Sequence, residues 1–267
     1  MQALLKYRLE NGLKKFPLDM KKSIKRRFFD FYFMKGSVRG EIIKNYVSVL
    51  PLEKREILIS LSFDDGYLSH YECAKLLHSI DVRATYFVVT HLNKLKDKAL
   101  ISTNLEKLQE MAQMGHEIGS HGCTHLNLLK MSTDRVINEL KYSKRFLEDN
   151  LAQEVLGFAY PYGYYNSRII DYVKKFYFYG RGAGAYFFED STNTNPNRYA
   201  IGSLSLKNAW WLSKVLVLNS RLCLLFVFHC PESKEVKVLF DIIKDIKRSF
   251  PFRFVPVSYI AEMQEEG

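Results

Sequence analysis

Two adjacent acids, Asp64 and Asp65, follow the apolar run Ile57-Leu58-Ile59-Ser60-Leu61 and stand before Gly66 in the segment Ser62-Phe63-Asp64-Asp65-Gly66. A short β-rich run that ends in two carboxylates and a glycine puts acids at a strand's carboxyl end, where parallel α/β folds keep their chemistry. Neighbouring carboxylates repel unless positive charge lies beside them. A bound cation answers this: one carboxylate ligates it, the other serves as a base, and the glycine lets the backbone turn. An Asp-Asp-Gly turn on its own also closes ordinary hairpins. The chemical reading therefore rests on what accompanies it.

Three further segments do. In Gly119-Ser120-His121-Gly122-Cys123-Thr124-His125 the two histidines are four residues apart, a spacing that on a helical turn puts both imidazoles on one face, able to grip one metal ion. One carboxylate with two histidines leaves coordination positions for water and substrate, as a catalytic metal site requires. Phe158-Ala159-Tyr160-Pro161-Tyr162-Gly163 is a proline turn after a strand, ordinary by itself, in which the amide of Tyr162 could be free to donate to an oxyanion. His229 directly follows the apolar run 222–228 and could act as an acid. His70, just past the Asp-Asp-Gly turn, is a candidate for the edge of a cleft, whereas His78 and His116 read as structural. Cys123, two residues from each metal histidine, points away if that turn is helical.

The elements that must position these residues alternate. Strands are expected at 57–63, 84–89, 117–120, 155–160, 177–180, 201–206, 222–228 and 252–255. Helices are expected at 71–79, after a Thr103–Glu106 capping box as far as Gly115, after Ser132, after Asn166, and over 210–218 and 236–246. Strand-then-helix order predicts a parallel sheet in an α/β barrel, closed or nearly so.

A chain of 267 residues with 47% apolar and 14% aromatic residues can bury a full core. The formal charge of +10 is concentrated at the start, where residues 1–56 hold fourteen Lys or Arg against six Asp or Glu. Pro51 marks a boundary between a basic, helix-prone extension (1–50) and the barrel domain (51–267). Lys21, Lys22, Lys25, Arg26 and Arg27 lead into Phe28, Phe29, Phe31, Tyr32 and Phe33, a pattern suited to an anionic membrane surface. Nucleic acid is not expected, because no nucleic-acid motif accompanies the basic stretch. The four cysteines fall in no CxxC pattern and read as core thiols. With no signal peptide visible in residues 1–34 and no apolar run long enough to span a bilayer, the expected location is cytoplasmic or peripheral to the cytoplasmic membrane face.

Taken together and in this order, Asp-Asp, the paired histidines, the Pro-Tyr-Gly turn and the late histidine resemble the polysaccharide deacetylases of the NodB homology type, carbohydrate esterase family four, over residues 57 to about 261. The resemblance implies a distorted (β/α)7-type barrel. It implies that Asp65, His121 and His125 hold a divalent metal, usually zinc with nickel or cobalt able to serve. Asp64 would be the general base, His229 the general acid, and the Tyr162 amide an oxyanion donor. The FAYPYG form of the third motif looks like that of the branch acting on poly-N-acetylglucosamine-type exopolysaccharides. The implied activity is removal of N-acetyl groups from an N-acetylated aminosugar in a glycan or glycolipid. Tyr162, Tyr164 and Arg181 are the expected substrate contacts, and Trp210 and Trp211 are further aromatics able to stack on sugar.

Two features depart from the family. An arginine that commonly orients the base two places before the third-motif proline is replaced here by Ala159, and the aspartate and tryptophan of a fourth motif have no counterpart between residues 177 and 205. Arg181, in Tyr179-Gly180-Arg181-Gly182, is the candidate to supply the missing positive charge from the next strand. Two other functions compete: deacylation of another C–N bond in a small molecule, and a non-catalytic carbohydrate-binding module. The intact metal set counts against the first, and the paired base and acid against the second.

Overall fold

The structure is a computed structural model that describes residues 57–182, 197–205, 216–218, 221–229, 240–241, 243–244, 247 and 252–263. The basic extension and the pair Trp210-Trp211 lie outside these residues.

Strand β1 (Ile57–Asp64) is the centre of the sheet. Its residues are buried from Leu58 onward on both faces, as a near-continuous apolar run in a parallel sheet should be. Along one side it pairs over its full length with β10 (Arg221–His229). On the other side β11 (Phe252–Phe254) takes its first half and β2 (Thr85–Val88) its second. From β2 the parallel order continues through β5 (Glu117–Ser120), β6 (Gly157–Ala159) and β7 (Tyr179–Arg181). Beyond β10 comes β8 (Leu204–Ser205), also parallel. A parallel bridge between Arg181 and Ile201 brings the chain leading into β8 against β7, so the two sheet edges meet. The result is a distorted barrel whose sheet path runs through seven parallel strands from β7 to β8, with β11 beside β1 off that path and helices packed outside, the expected (β/α)7 type.

Helices α1 (His70–Ser79), α2 (Leu105–Gln113), α3 (Thr133–Leu151) and α4 (Ser167–Val173) cover the sheet. Their inward faces repeat at helical spacing: Leu108 and Met111 on α2, Val136, Leu140 and Leu147 on α3, and Ile169 and Val173 on α4, all fully buried. Asn166 caps α4 by accepting from the Ile169 N–H. The expected capping box at α2 is shifted by one residue: Asn104 is the cap, accepting from the Lys107 N–H, while Thr103 Oγ1 donates to the Leu100 carbonyl. An amide oxygen is the stronger cap when the two residues are adjacent.

Other differences follow from short or ambiguous signals. Residues 216–218, expected to be helical, form β9 (Leu216–Leu218), antiparallel to the start of β10. A brief apolar run with a β-branched centre fits either state, and the unpaired edge of β10 decides it. A hairpin of β3 (Lys94–Leu95) and β4 (Lys98–Ala99) turns through Lys96 and Asp97, both left-handed, and its strands are too short to show a period. A last helix, α5 (Val257–Met263), docks under the barrel. There Val257 N–H donates to Thr85 Oγ1, and Ser258 N–H and Thr85 Oγ1 donate to Glu117 Oε2. No helix among the described residues is long and apolar enough to cross a membrane.

Candidate active site

The strand ends converge. β1 finishes at Asp64, and the chain then turns through Asp65 (φ 73°) and Gly66 (φ 71°), both left-handed. This turn sends the two neighbouring carboxylates to different partners. Both are buried, with Asp64 3% and Asp65 1% exposed.

Asp64 meets Arg181 at the end of β7, whose guanidinium donates to its Oδ1. Arg181 is itself 1% exposed, lies over the Phe87 ring, and donates through its other terminal nitrogen to the Gly182 carbonyl. A buried carboxylate costs several kcal/mol unless paired, and this guanidinium supplies the pair. The positive charge absent at Ala159 thus comes from the neighbouring strand.

Asp65 meets the two histidines. Its Oδ1 lies 3.1 Å from His125 Nε2 and 3.6 Å from His121 Nε2. His121 Nδ1 lies 2.8 Å from the Ala159 carbonyl oxygen, which can only accept, so the ring proton is on Nδ1 and Nε2 presents a lone pair. Burial pushes the His121 pKa down to about 4, against the pull of Asp64, and the imidazole is neutral at pH 7. Burial alone would raise the Asp65 carboxyl, but His125 and His121 outweigh it and hold the group well below the usual carboxylate range. A carboxylate oxygen and an imidazole lone pair therefore face one another in a dry site.

Such an arrangement is one that a cation can bridge. One candidate ligand atom from each of Asp65, His121 and His125 lies within 4.8 Å of the others, and all three residues are buried. Ligands about 2.1 Å from a tetrahedral ion stand roughly 3.4 Å apart, so the observed spacing fits one divalent metal. The Ala159 carbonyl holds the His121 tautomer that such an ion needs.

Tyr162 follows the strand end of β6 in a left-handed conformation (φ 60°), with the turn fixed by Gly163 N–H donating to the Tyr160 carbonyl. Its ring packs 4.7 Å from that of His125 and 6.1 Å from that of Tyr164, and both tyrosines are more than half exposed. The backbone of His229 stands opposite Asp64 at the last rung of the β1 and β10 register. Asp64, Asp65, His121, His125, Tyr162, Arg181 and the His229 backbone are thus all at the carboxyl ends of barrel strands.

Residues 52–179 match the family model for polysaccharide deacetylase. That segment, just under half of the chain, carries the likeness to polysaccharide deacetylases.

Among its relatives, a peptidoglycan-N-acetylglucosamine deacetylase of Bacillus cereus is 26% identical over 76% of this chain and 87% of its own length. The Xyl-CE4 domain of a multidomain xylanase from the hindgut metagenome of Trinervitermes trinervoides is 25% identical, with a TM-score of 0.55 over 79% of this chain and 91% of that one. A family 4 carbohydrate esterase pseudoenzyme of Bacillus anthracis shares the fold, at 16% identity and a TM-score of 0.57 over 77% of this chain and 66% of that one. The chain spans less than half the length of the first curated relatives it matches.

Within the barrel some sequence expectations are corrected. The His121 to His125 segment is not a helical turn; Gly122 (φ 81°) and His125 (φ 53°) are left-handed and the segment is an open loop. The imidazoles converge because the loop folds back, not because of a 3.6-residue period. His70 does not edge a cleft: it is fully buried among the rings of Phe63 and Tyr67. His116 is structural as expected, with its Nδ1 accepting from the Ala84 N–H and its Nε2 donating to the Ala74 carbonyl. Sequence reasoning missed Glu139, which lies beneath the histidine loop. The available signal was an acid on the inward stripe of α3, between Val136 and Leu140.

Proposed function

We propose that this chain is a divalent-metal-dependent hydrolase that removes N-acetyl groups from an aminosugar of a glycan or glycolipid. The observation that carries this reading is the buried, mutually facing acceptor set of Asp65, His121 and His125, beside a second carboxylate, Asp64, held by its own arginine. A structural ion pair would need only one of these carboxylates, and a structural metal would saturate its coordination with protein ligands.

An amide is a poor electrophile and its amine a poor leaving group. A zinc, nickel or cobalt ion at Asp65, His121 and His125 would polarise the acetyl carbonyl and acidify water. Asp64, with Oδ1 engaged by Arg181, takes the attacking water's proton on Oδ2. The Tyr162 N–H would donate to the oxygen on which charge grows. His229, from its place opposite Asp64, gives a proton to the nitrogen as the C–N bond breaks, leaving acetate and a free amine. Arg181 acts through Asp64, fixing the direction in which it accepts the proton. Exposed Tyr162 and Tyr164 offer ring faces to sugar beside this centre.

The basic stretch at residues 1–50 is read as a contact for anionic lipid, and its deletion should abolish pelleting with acidic liposomes. The central test joins metal analysis of purified protein to amine release from N-acetylglucosamine oligomers, with Asp64→Asn as control. Bound metal and an Asp64-dependent release are expected. Bound metal with no release from any acetylated amine would replace the enzyme by a carbohydrate-binding module.

A further inference from the structure

The loop carrying both histidines is clamped by a carboxylate that touches neither of them. Glu139, on the inward face of α3, is 8% exposed. Its Oε2 accepts from the Cys123 N–H at 2.7 Å and the Thr124 N–H at 2.9 Å, and its Oε1 accepts from Thr124 Oγ1 at 2.6 Å. Those donors are the two residues directly before His125. Gly122, the residue after His121, has no side chain where Glu139 passes: a Cβ there would stand 3.0 Å from Oε2. The opposite side of the loop is held by its carbonyls, with the Thr90 N–H donating to Gly122 at 3.1 Å and the His91 N–H to Cys123 at 2.9 Å. The Gly122 N–H is taken by Ser120 Oγ.

Three of the four peptides between the two imidazoles are therefore held, and Glu139 supplies the side-chain anchor, taking two of their N–H groups and the Thr124 hydroxyl. A left-handed residue such as His125 is unfavourable by itself and persists only where its surroundings hold it. Three donors converging on one buried carboxylate provide that restraint.

We propose that Glu139 is a positioning residue for the metal centre: it sets the His121 to His125 loop in its ligating shape before a cation arrives, so that binding does not have to order the loop. This rests on the reading of Asp65, His121 and His125 as a metal site. Glutamine at 139 can keep the clamp, since its amide oxygen can take both N–H donors while its NH2 donates to Thr124 Oγ1. Alanine cannot, and aspartate is one methylene too short.

The test is zinc affinity of the full chain by competition with a chromogenic chelator. Glu139→Ala should weaken zinc binding about 10- to 100-fold, the range expected for an outer partner of a ligand. Glu139→Gln should remain within about threefold of the unsubstituted protein. Amide exchange of the metal-free protein should quicken at Cys123 and Thr124 in the alanine variant. If the alanine variant does not fold, Glu139→Asp is read in its place, with the same direction expected. Unchanged affinity in a folded alanine or aspartate variant, or a glutamine variant as weak as alanine, would overturn the clamp while leaving the metal site intact. Absence of zinc binding in the unsubstituted protein would instead remove the metal reading and this inference with it. A purely structural role would lower thermal stability without changing the zinc affinity of the folded fraction.

Discussion

Ala159 on β6 and Arg181 on β7 are register partners across adjacent parallel strands, and the Arg181 guanidinium crosses to the Asp64 carboxylate at the end of β1. An arginine displaced by one strand thus occupies the space next to the base that a side chain at 159 would otherwise enter. Ala159 is fully buried beside Arg181. Arg181→Ala should lower kcat about 10- to 100-fold, a part of what a positioned base contributes, with zinc content unchanged. Placing arginine at position 159 in that background should recover some of the loss. Equal turnover in Arg181→Ala and the unsubstituted enzyme would disprove a role for Arg181 in orienting Asp64.

How far the chemistry was legible depends on the scale of the signal. The barrel could be read because its strands are apolar runs of several residues separated by long helical periods, as in β1 and α3. The three residues that come together as candidate ligands could be picked out because their chemical types are rare and they stand just past strand ends. What could not be read is geometry set by tertiary hydrogen bonds. The loop from His121 to His125 has a helical spacing but an open shape, because Glu139, fourteen residues beyond His125, clamps it. Likewise nothing local in Leu216-Val217-Leu218 says that β10 needs an antiparallel neighbour there.

Tyr164 provides a test of the glycan reading that leaves the metal alone. Its ring is exposed and stacks at 6.1 Å and 28° with that of Tyr162, which in turn packs on His125. A ring one step removed from the centre should matter for a sugar next to the one being deacetylated. Tyr164→Ala should raise KM for N-acetylglucosamine oligomers up to about tenfold, the scale of one lost aromatic contact, with less effect on the monosaccharide. Equal effects on both substrates would mean that the ring only shapes the turn.

His116 predicts an acid limb of stability that is separate from catalysis. Burial pushes its pKa down to about 4 from the usual 6.5, although its bond to the Ala74 carbonyl pulls the other way and Arg83 adds to the depression. Between these values the unfolded chain binds a proton that the folded one does not. Stability therefore falls as pH drops from about 6.5 to about 4, by on the order of 3 kcal/mol for this group, and levels off below. Glutamine can reproduce both hydrogen bonds without titrating. His116→Gln should flatten urea-unfolding free energy against pH by about one proton in that window. An unchanged slope would show that other groups carry the acid limb.

The Asp65 site should also reveal itself in stability, without any substrate. The folded protein brings Asp65 Oδ1 within 3.1 Å of His125 Nε2 and 3.6 Å of His121 Nε2, a buried cluster whose ligand atoms a cation would draw together. The unfolded chain has no such site, so a cation binds the folded state and raises its stability by mass action. At a hundred times Kd the gain is about 2.7 kcal/mol. For a domain of this size that corresponds to a rise in Tm of about 5–10 °C. Asp65→Asn replaces an anionic ligand by a neutral amide, so it should abolish most of the zinc-dependent rise. Scanning calorimetry of both proteins with and without zinc after chelator dialysis measures this directly. A zinc-dependent rise that persists in Asp65→Asn would place the cation elsewhere on the chain.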